Sequence, residues 1–287
     1  MPYTVARGFE VLRERLEITD LQATAVSTRQ RNVRDALEKR LVVDDHFLTG
    51  SYMRNTMIAP LNEADVDLFM VMNDQYFRTD GQAYILDKVR GVLLETYPLT
   101  PNISRDGQAV TITFTDFKVD VVPAFTGVSS GYLIPNTIRN EWISTDPRKH
   151  ITLWSEANKA HNGDLVPLIK MIKGWNKQHG DLFYSFHLEC LILKILTNVT
   201  ISDFPSAVCY VFDKARTAVT DIVFDPVSFT NTGKYLDTQS KIDAVVSRLE
   251  TAYTRAKNAE ECTARGNIDD AYYYWRLIFG DYFPAYG

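Results

Sequence analysis

Leu48-Thr49-Gly50-Ser51, then Asp65-Val66-Asp67-Leu68-Phe69-Met70-Val71-Met72, then Phe117-Lys118-Val119-Asp120-Val121-Val122-Pro123 are the stretches on which the reading of this chain turns. The second reads as a strand, and residues two apart on a strand share a face, so Asp65 and Asp67 project together. The third is also strand-like and can lie beside it, bringing Asp120 close. Three carboxylates converging on one point repel unless a cation sits between them, and an all-oxygen site suits Mg²⁺. Two such ions clamp the attacking and leaving oxygens of a phosphoryl-type displacement. Each part has an ordinary alternative. An Asp-x-Asp pair occurs at solvated strand edges, Gly-Ser is a common turn, and Asp120 alone is compatible with a satisfied polar group. The conjunction is what points to chemistry.

Outward from these stretches, the 287 residues suffice for one large domain or two lobes with a substantial core. Hydrophobic content of 45% and charged content of 23% are those of a globular protein. No run of about 18 apolar residues predicts a membrane span. Met1 to Gly8 lacks the basic and apolar regions of a secretory signal, so the expected location is the cytoplasm. Cys190, Cys209 and Cys262 are odd in number and widely spaced, which excludes a zinc knuckle and argues for reduced thiols. The net charge is −5, from 31 basic and 36 acidic residues. Long nucleic acid is usually met by a basic surface, and none is evident here. Small anions such as nucleoside triphosphates remain compatible.

Along the chain, Thr4 to Arg40 reads as helical, with Val5, Phe9, Leu12 and Leu16 at helical intervals. His46 to Leu48 predicts a short strand entering the Gly50-Ser51 turn, and Ser51 can open a short helix. Asn62-Glu63-Ala64 leads into the Asp65–Met72 strand. Gly81 to Glu95 predicts a helix, Tyr97 to Gly107 is turn-rich, and Ala109–Thr115 with Phe117–Val122 predicts a hairpin. Gly163 to Lys177 and His187 to Asn198 read as helices, the latter apolar enough to be central. Three more follow at Asp203–Thr220, Thr238–Asn258 and Ile268–Phe279. Asp225-Pro226 and Asn231-Thr232-Gly233 break the chain between them. The economical architecture is α+β, with N-terminal helices and a mixed-sheet core over 1–145, a helical lobe over 146–287, and a cleft between them.

The order Gly-Ser, Asp-x-Asp, then Asp on a Val-rich strand resembles the polymerase-β-like nucleotidyltransferases. Gly50-Ser51-Tyr52-Met53-Arg54-Asn55-Thr56, Asp65-Val66-Asp67-Leu68, Val119-Asp120-Val121-Val122-Pro123, Trp142-Ile143-Ser144-Thr145-Asp146-Pro147 and Leu168-Ile169-Lys170-Met171-Ile172-Lys173-Gly174-Trp175-Asn176 together resemble the bacterial cyclic-oligonucleotide synthases (CD-NTases). These are relatives of cyclic GMP–AMP synthase and oligoadenylate synthase. The resemblance runs from about Phe47 to the Trp275–Gly280 segment. It implies a polymerase-β-like core and a metal-dependent enzyme that joins nucleoside triphosphates into a cyclic di- or trinucleotide, with a role in bacterial antiphage (CBASS) signalling.

Residue by residue, the resemblance implies that Asp65, Asp67 and Asp120 hold two Mg²⁺ ions, with Mn²⁺ as a substitute. Asp120 also assists deprotonation of the acceptor hydroxyl. Gly50 and Ser51 receive phosphates, Gly50 because backbone must approach closely. Lys173 matches a triphosphate contact, although Lys170, Lys173 and Lys177 at helical spacing also read as a solvated basic stripe. Ser185 matches a phosphate contact or serves as a helix N-cap. Phe186 matches a base-stacking aromatic, where animal relatives have tyrosine, or is a core side chain. Asn136 in Ile134-Pro135-Asn136 matches a base-pocket segment or is a turn residue. The five histidines show no metal-ligand spacing and are expected to be structural. Tyr272-Tyr273-Tyr274-Trp275 is expected to pack the last helix. Regulatory or ligating proteins from the same operon are expected partners; Gly287 would suit ubiquitin-like ligation, with an ordinary or truncated terminus as the favoured reading. Two other functions fit the residues: the same chemistry on a linear oligonucleotide, RNA end or small-molecule hydroxyl, and a nucleotide-binding protein without catalysis. The intact acidic set argues against the last.

Overall fold

The computed structural model describes residues 4–61, 64–100, 102–128 and 130–287. Asn62 and Glu63, read above as the approach to the acidic strand, lie outside the described residues, as do Met1 to Tyr3. The chain divides into two compact units, 18–153 and a second made of 1–17 with 154–287. This differs from the division expected at 145/146. The first helix, α1 (Val5–Leu16), belongs with the helical unit because its apolar stripe is completed there. Phe9 meets Trp275 edge-on at 4.8 Å and also packs Phe279 and Phe283.

The predicted continuous N-terminal helix is broken at Glu17-Ile18-Thr19. Thr19 N-caps α2 (Asp20–Glu38) in a capping box with Gln22, which satisfies donors that a continuing helix would have used. In the same unit, β1 (Val43–Leu48), β2 (Asp65–Met72), β3 (Asn102–Asp106), β4 (Ala109–Thr113) and β5 (Lys118–Thr126) form a mixed sheet in the order β1-β2-β5-β4-β3. β6 (Tyr132–Asn136) and β7 (Glu141–Thr145) extend it from β5. β2 and β5 run parallel, the other pairs antiparallel. β3 lies in the segment read as turn-rich; Ile103 is buried opposite Ile112, so pairing with β4 overrides a turn-forming composition.

Strand alternation sorts the sheet into two faces. Val66, Leu68, Met70 and Met72 of β2 and Val119 and Val121 of β5 join a core with α2 and α4 (Gln82–Thr96). Phe69, Val71 and Ala124 join a smaller apolar cluster with Ile134, Phe47 and Tyr132 on the opposite face. Asp65, Asp67 and Asp120 have the parity of this second group, so they sit on the face that α2 and α4 leave uncovered.

The helical unit holds α6 (Leu165–Gln178), α7 (Ser185–Ile195), α8 (Phe204–Ala218), α9 (Gln239–Ala264) and α10 (Ile268–Phe279). The division between units falls within α5 (Pro147–Ala160). α6 is the central helix, with every residue from Leu165 to Asn176 buried. A Cβ on Gly174 would stand 2.9 Å from Leu16, so glycine is what lets α1 lie against α6. As expected, α10 is packed through Tyr272 and Trp275, and the Tyr272 hydroxyl donates to the Thr4 carbonyl at 2.8 Å. No helix among the described residues is long and apolar enough to cross a membrane.

Candidate active site

The parallel register of β2 and β5 sets Asp67 directly opposite Asp120, and Asp65 opposite Lys118. The Gly-Ser turn is stitched to the same point, because the Thr49 N–H donates to the Asp67 carbonyl at 2.9 Å. A single helical turn, α3 (Gly50–Met53), starts there. Gly50 has φ +65°, and a Cβ at that position would lie 1.7 Å from the Asp67 Oδ2. Two constraints therefore demand glycine here, a left-handed backbone and direct contact with a carboxylate. Ser51 follows, half-buried, with its carbonyl accepting from the Thr56 and Met57 N–H groups at 2.9 and 3.1 Å.

Burial under this turn and the like charge of Asp120 push the Asp67 carboxyl up to about 7; Arg54 opposes the shift and Asp65 adds to it. The Thr111 hydroxyl, on the neighbouring β4 residue, donates to the Asp120 Oδ1 at 2.5 Å. Asp65 is half-exposed, with the Lys118 Nζ 3.6 Å away. Among the described residues, no three acidic, histidine or cysteine side chains are gathered into a ready-made metal cage. The donor set nevertheless fits a hard divalent cation. Its atoms are carboxylate oxygens, their mutual repulsion is what a cation would relieve, and the exposed Lys118 contact holding Asp65 is of a kind that contributes little.

The remaining expected site residues fall into two groups. Asn136 is a correction for its oxygen: Oδ1 accepts from the Ile138 and Arg139 N–H groups at 3.0 and 3.2 Å, so that atom closes the β6–β7 turn rather than facing a base. The Thr137 N–H also ties that turn to Gly107, in the β3–β4 turn. By register, that turn lies towards the C-terminal end of β5, away from Asp120. The solvated lysine stripe is a second correction. Lys170 is buried and donates to Glu17 at 2.6 Å. Lys173 is buried with its Nζ 3.2 Å from the Oε1 of Glu189, which is wholly buried. The Lys173 ammonium thus faces a buried carboxylate of α7.

Ser185 and Phe186 open α7. Ser185 is exposed and is the first helical residue, not the N-cap, which is Tyr184. It thus lies in the first turn of the helix, where backbone N–H groups lack helical partners. Phe186 is half-buried and stacks on the buried Trp154 at 5.8 Å, which covers one of its faces. Asn176 holds the approach to this point. Its side chain donates to the Phe183 carbonyl and accepts from the Phe183 N–H, both at 2.9 Å.

Sequence reasoning missed Arg54, Thr111 and Lys118. Arg54 is four residues beyond Gly50 and acts on Asp67; Lys118 shares a strand face with Asp120. Both spacings are present in the sequence, but the β4–β5 register that places Thr111 opposite Asp120 is not. His161 and His179 contact backbone carbonyls of Ala157 and Ile278 at 2.8 and 3.0 Å, and burial lowers the pKa of His179. The three cysteines are free thiols, and burial, with Glu260 beside it, pushes Cys209 up to about 12.

Comparison with known proteins gives this geometry a context. Residues 3–158, more than half of the chain, match the Second Messenger Oligonucleotide or Dinucleotide Synthetase (SMODS) domain. A cyclic AMP-AMP-AMP synthase from an Acinetobacter strain is 28% identical over 98% of this chain and 86% of its own. A second cyclic AMP-AMP-AMP synthase, from Escherichia coli, is 24% identical over 83% and 82%. Among solved structures, Escherichia coli CdnC with ATP has a TM-score of 0.77 at 19% identity, covering 98% of this chain and 99% of that one. This likeness supports the polymerase-β-like α+β fold expected from the sequence. The chain thus belongs to the SMODS family of bacterial cyclic-oligonucleotide synthases, the CD-NTases.

Proposed function

We propose that this protein links nucleoside triphosphates, ATP among them, into a cyclic di- or trinucleotide, with cyclic AMP-AMP-AMP the first product to seek. The reading extends to a role in antiphage (CBASS) signalling in the bacterial cytoplasm. The observation that carries it is the pairing of Asp67 with Asp120 on the uncovered sheet face, beneath a glycine that no other residue can replace without striking Asp67.

The chemistry asks for positioning and charge neutralisation more than covalent participation. Asp65, Asp67 and Asp120 would hold two Mg²⁺ ions, or Mn²⁺, which neutralise the triphosphate and the attacking oxygen when bound. The Gly50 backbone admits phosphate at close range, and the Ser51 hydroxyl donates to it. Asp120, steadied by Thr111 at its Oδ1, accepts the proton of the acceptor hydroxyl. In the helical unit, Ser185 at the start of α7 offers a hydroxyl to phosphate. Cyclisation requires the linear intermediate to be presented again to the same three carboxylates, so base contacts must be exchangeable; stacking meets that need better than a multidentate hydrogen-bond lock.

The names of relatives support a nucleotide substrate and suggest a protein regulator. One CdnC structure contains ATP, a CdnG structure from Bradyrhizobium diazoefficiens contains GTP, and another CdnC structure is a complex with HORMA-deltaN. Incubation with all four nucleoside triphosphates and Mg²⁺, followed by mass spectrometry, tests the proposal. The expected products resist phosphatase and have the mass of a cyclic oligomer. Phosphatase-sensitive linear chains as the only product would promote the linear-oligonucleotide alternative.

A further inference from the structure

Directly before Ser185, Tyr184 is 65% exposed although its ring lies parallel to that of Tyr235, 4.1 Å away at 25°. One face is thus backed by a second aromatic and the other is open. The backing is built in. Tyr235 is fixed at its hydroxyl, which accepts from the Tyr184 N–H at 3.2 Å and lies 2.8 Å from the Nδ1 of His187. It is fixed again at its carbonyl, which accepts from the Lys241 Nζ at 3.1 Å. His187 is buried, and burial lowers its pKa to about 4, so it is neutral at physiological pH. The Tyr235 hydroxyl and the neutral His187 Nδ1 thus share one hydrogen bond, the donor set by the imidazole tautomer. The peptide on the N-terminal side of Tyr184 is held by the Asn176 bonds to Phe183. The Tyr184 backbone is thus held on its N-terminal side and its ring is backed on one face.

We infer that the open face of Tyr184, backed by Tyr235, is a nucleobase-stacking surface of the helical unit, with Tyr235 and His187 as its positioning residues. The assignment rests on the nucleotide-handling function proposed above but moves the stacking role from Phe186 to Tyr184. Phe186 already has Trp154 across one face and is half-buried, whereas Tyr184 offers a larger open surface without rearrangement. A flat purine is the occupant of choice. It extends an existing aromatic stack, requires no donor or acceptor pattern, and leaves its phosphates for the exposed Ser185 hydroxyl in the next residue. A parallel stack also tolerates exchange of one base for another.

Equilibrium binding to the full-length protein tests this with two probes, a non-hydrolysable ATP analogue and inorganic tripolyphosphate, which has no base. Tyr184→Ala and Tyr184→Leu should weaken the ATP analogue by roughly 5- to 150-fold, the range of one lost base stack. Both should leave tripolyphosphate binding within about twofold, because stacking does not touch phosphate. Tyr184→Phe should bind the analogue as wild type does. Tyr235→Phe, which loses the bonds to His187 and to the Tyr184 N–H, should weaken the analogue less than Tyr184→Ala does, and again spare tripolyphosphate. Unchanged analogue binding in Tyr184→Ala, or equal weakening of both probes, would overturn the assignment. So would a base-selective loss confined to Phe186→Leu. A wild-type protein that binds the analogue base-selectively through Tyr184 yet releases no pyrophosphate from any triphosphate would instead overturn the proposed function and leave the stacking surface standing.

Discussion

The uncovered sheet face and the centre of the helical unit solve the problem of carboxylate charge in opposite ways. On the sheet, Asp67 faces Asp120 across two parallel strands, and its carboxyl is driven up to about 7 by burial and by that like charge. Between α6 and α7, Glu189 is more deeply buried yet has the ammonium of Lys173 3.2 Å away. Removing one partner of a buried pair is costly because it strands the other charge. Removing a member of a repelling set relieves strain. In the first arrangement like charges face one another, opposed in part by Arg54, while in the second a buried carboxylate faces a buried ammonium. That is why the acidic face is read as a working site and the lysine pair as part of the frame, although the sequence presents both as charged residues in family-like phrases.

Asp67→Asn is the largest test of the contrast. Activity should fall on the order of 10³-fold, since the group lies where the displacement is charge-compensated. Stability without divalent ions should move the other way. A carboxyl whose pKa is raised from 3.8 to about 7 on folding favours the fold fully below pH 3.8, and that contribution is lost as pH rises towards 7. Metal-free wild type should therefore lose about 2 kcal/mol from this group between pH 5 and 8, a loss the asparagine variant escapes. Thermal melts at the two pH values measure it. Equal pH dependence in both proteins would show that Asp67 and Asp120 do not oppose one another.

In the helical unit the expected sign reverses. Glu189→Gln removes the negative charge facing the buried Lys173 and should cost about 3–5 kcal/mol in urea unfolding. The double change Lys173→Met with Glu189→Leu should recover most of that, because two apolar groups replace the pair. A double variant that folds well and still binds ATP would remove the triphosphate role for Lys173. One that folds well but loses ATP binding would restore it.

Gly50→Ala brings a methyl group against the Asp67 carboxylate and forces a left-handed backbone on alanine. Activity should drop about 100-fold, the scale of a small displacement at a reacting centre. Adding Asp67→Ala should restore part of the lost melting temperature but none of the activity. If Gly50→Ala is fully active, the close approach of turn to strand is not part of the site.

How much of this was legible in the sequence follows from the range of each interaction. The acidic strand could be read because alternation is local: Asp65 and Asp67 carry the parity of Phe69 and Val71, and one heptapeptide suffices to see it. The break before α2 was also locally encoded, since Thr19 and Gln22 form a capping box; the unbroken apolar spacing across α1 drew attention away from it. β3 was not legible, because Asn102-Ile103-Ser104-Arg105-Asp106 has a turn's composition and becomes a strand only through β4. The burial of Lys170 and Lys173 was not legible for a related reason. Their spacing is that of a solvated stripe, and the carboxylates that allow their burial, Glu17 and Glu189, are supplied by other helices.

The smallest expected effect separates architecture from recognition on the sheet unit itself. If Asn136 read a base, Asn136→Ala would alter which nucleotides enter the product. Its Oδ1 instead accepts two backbone N–H groups that close the β6–β7 turn. A side chain engaged in this way contributes what a turn or helix cap does, about 1 kcal/mol. Asn136→Ala should lower the melting temperature by roughly 2–4 °C, the usual response of a chain this size to such a loss. Asn136→Asp keeps the accepting oxygen and should recover most of the difference. Neither should change the ratio of products when the four triphosphates compete. That ratio, measured by mass spectrometry, decides the matter: a shifted base composition in Asn136→Ala at unchanged melting temperature would return this residue to the substrate and show that the turn closes without it.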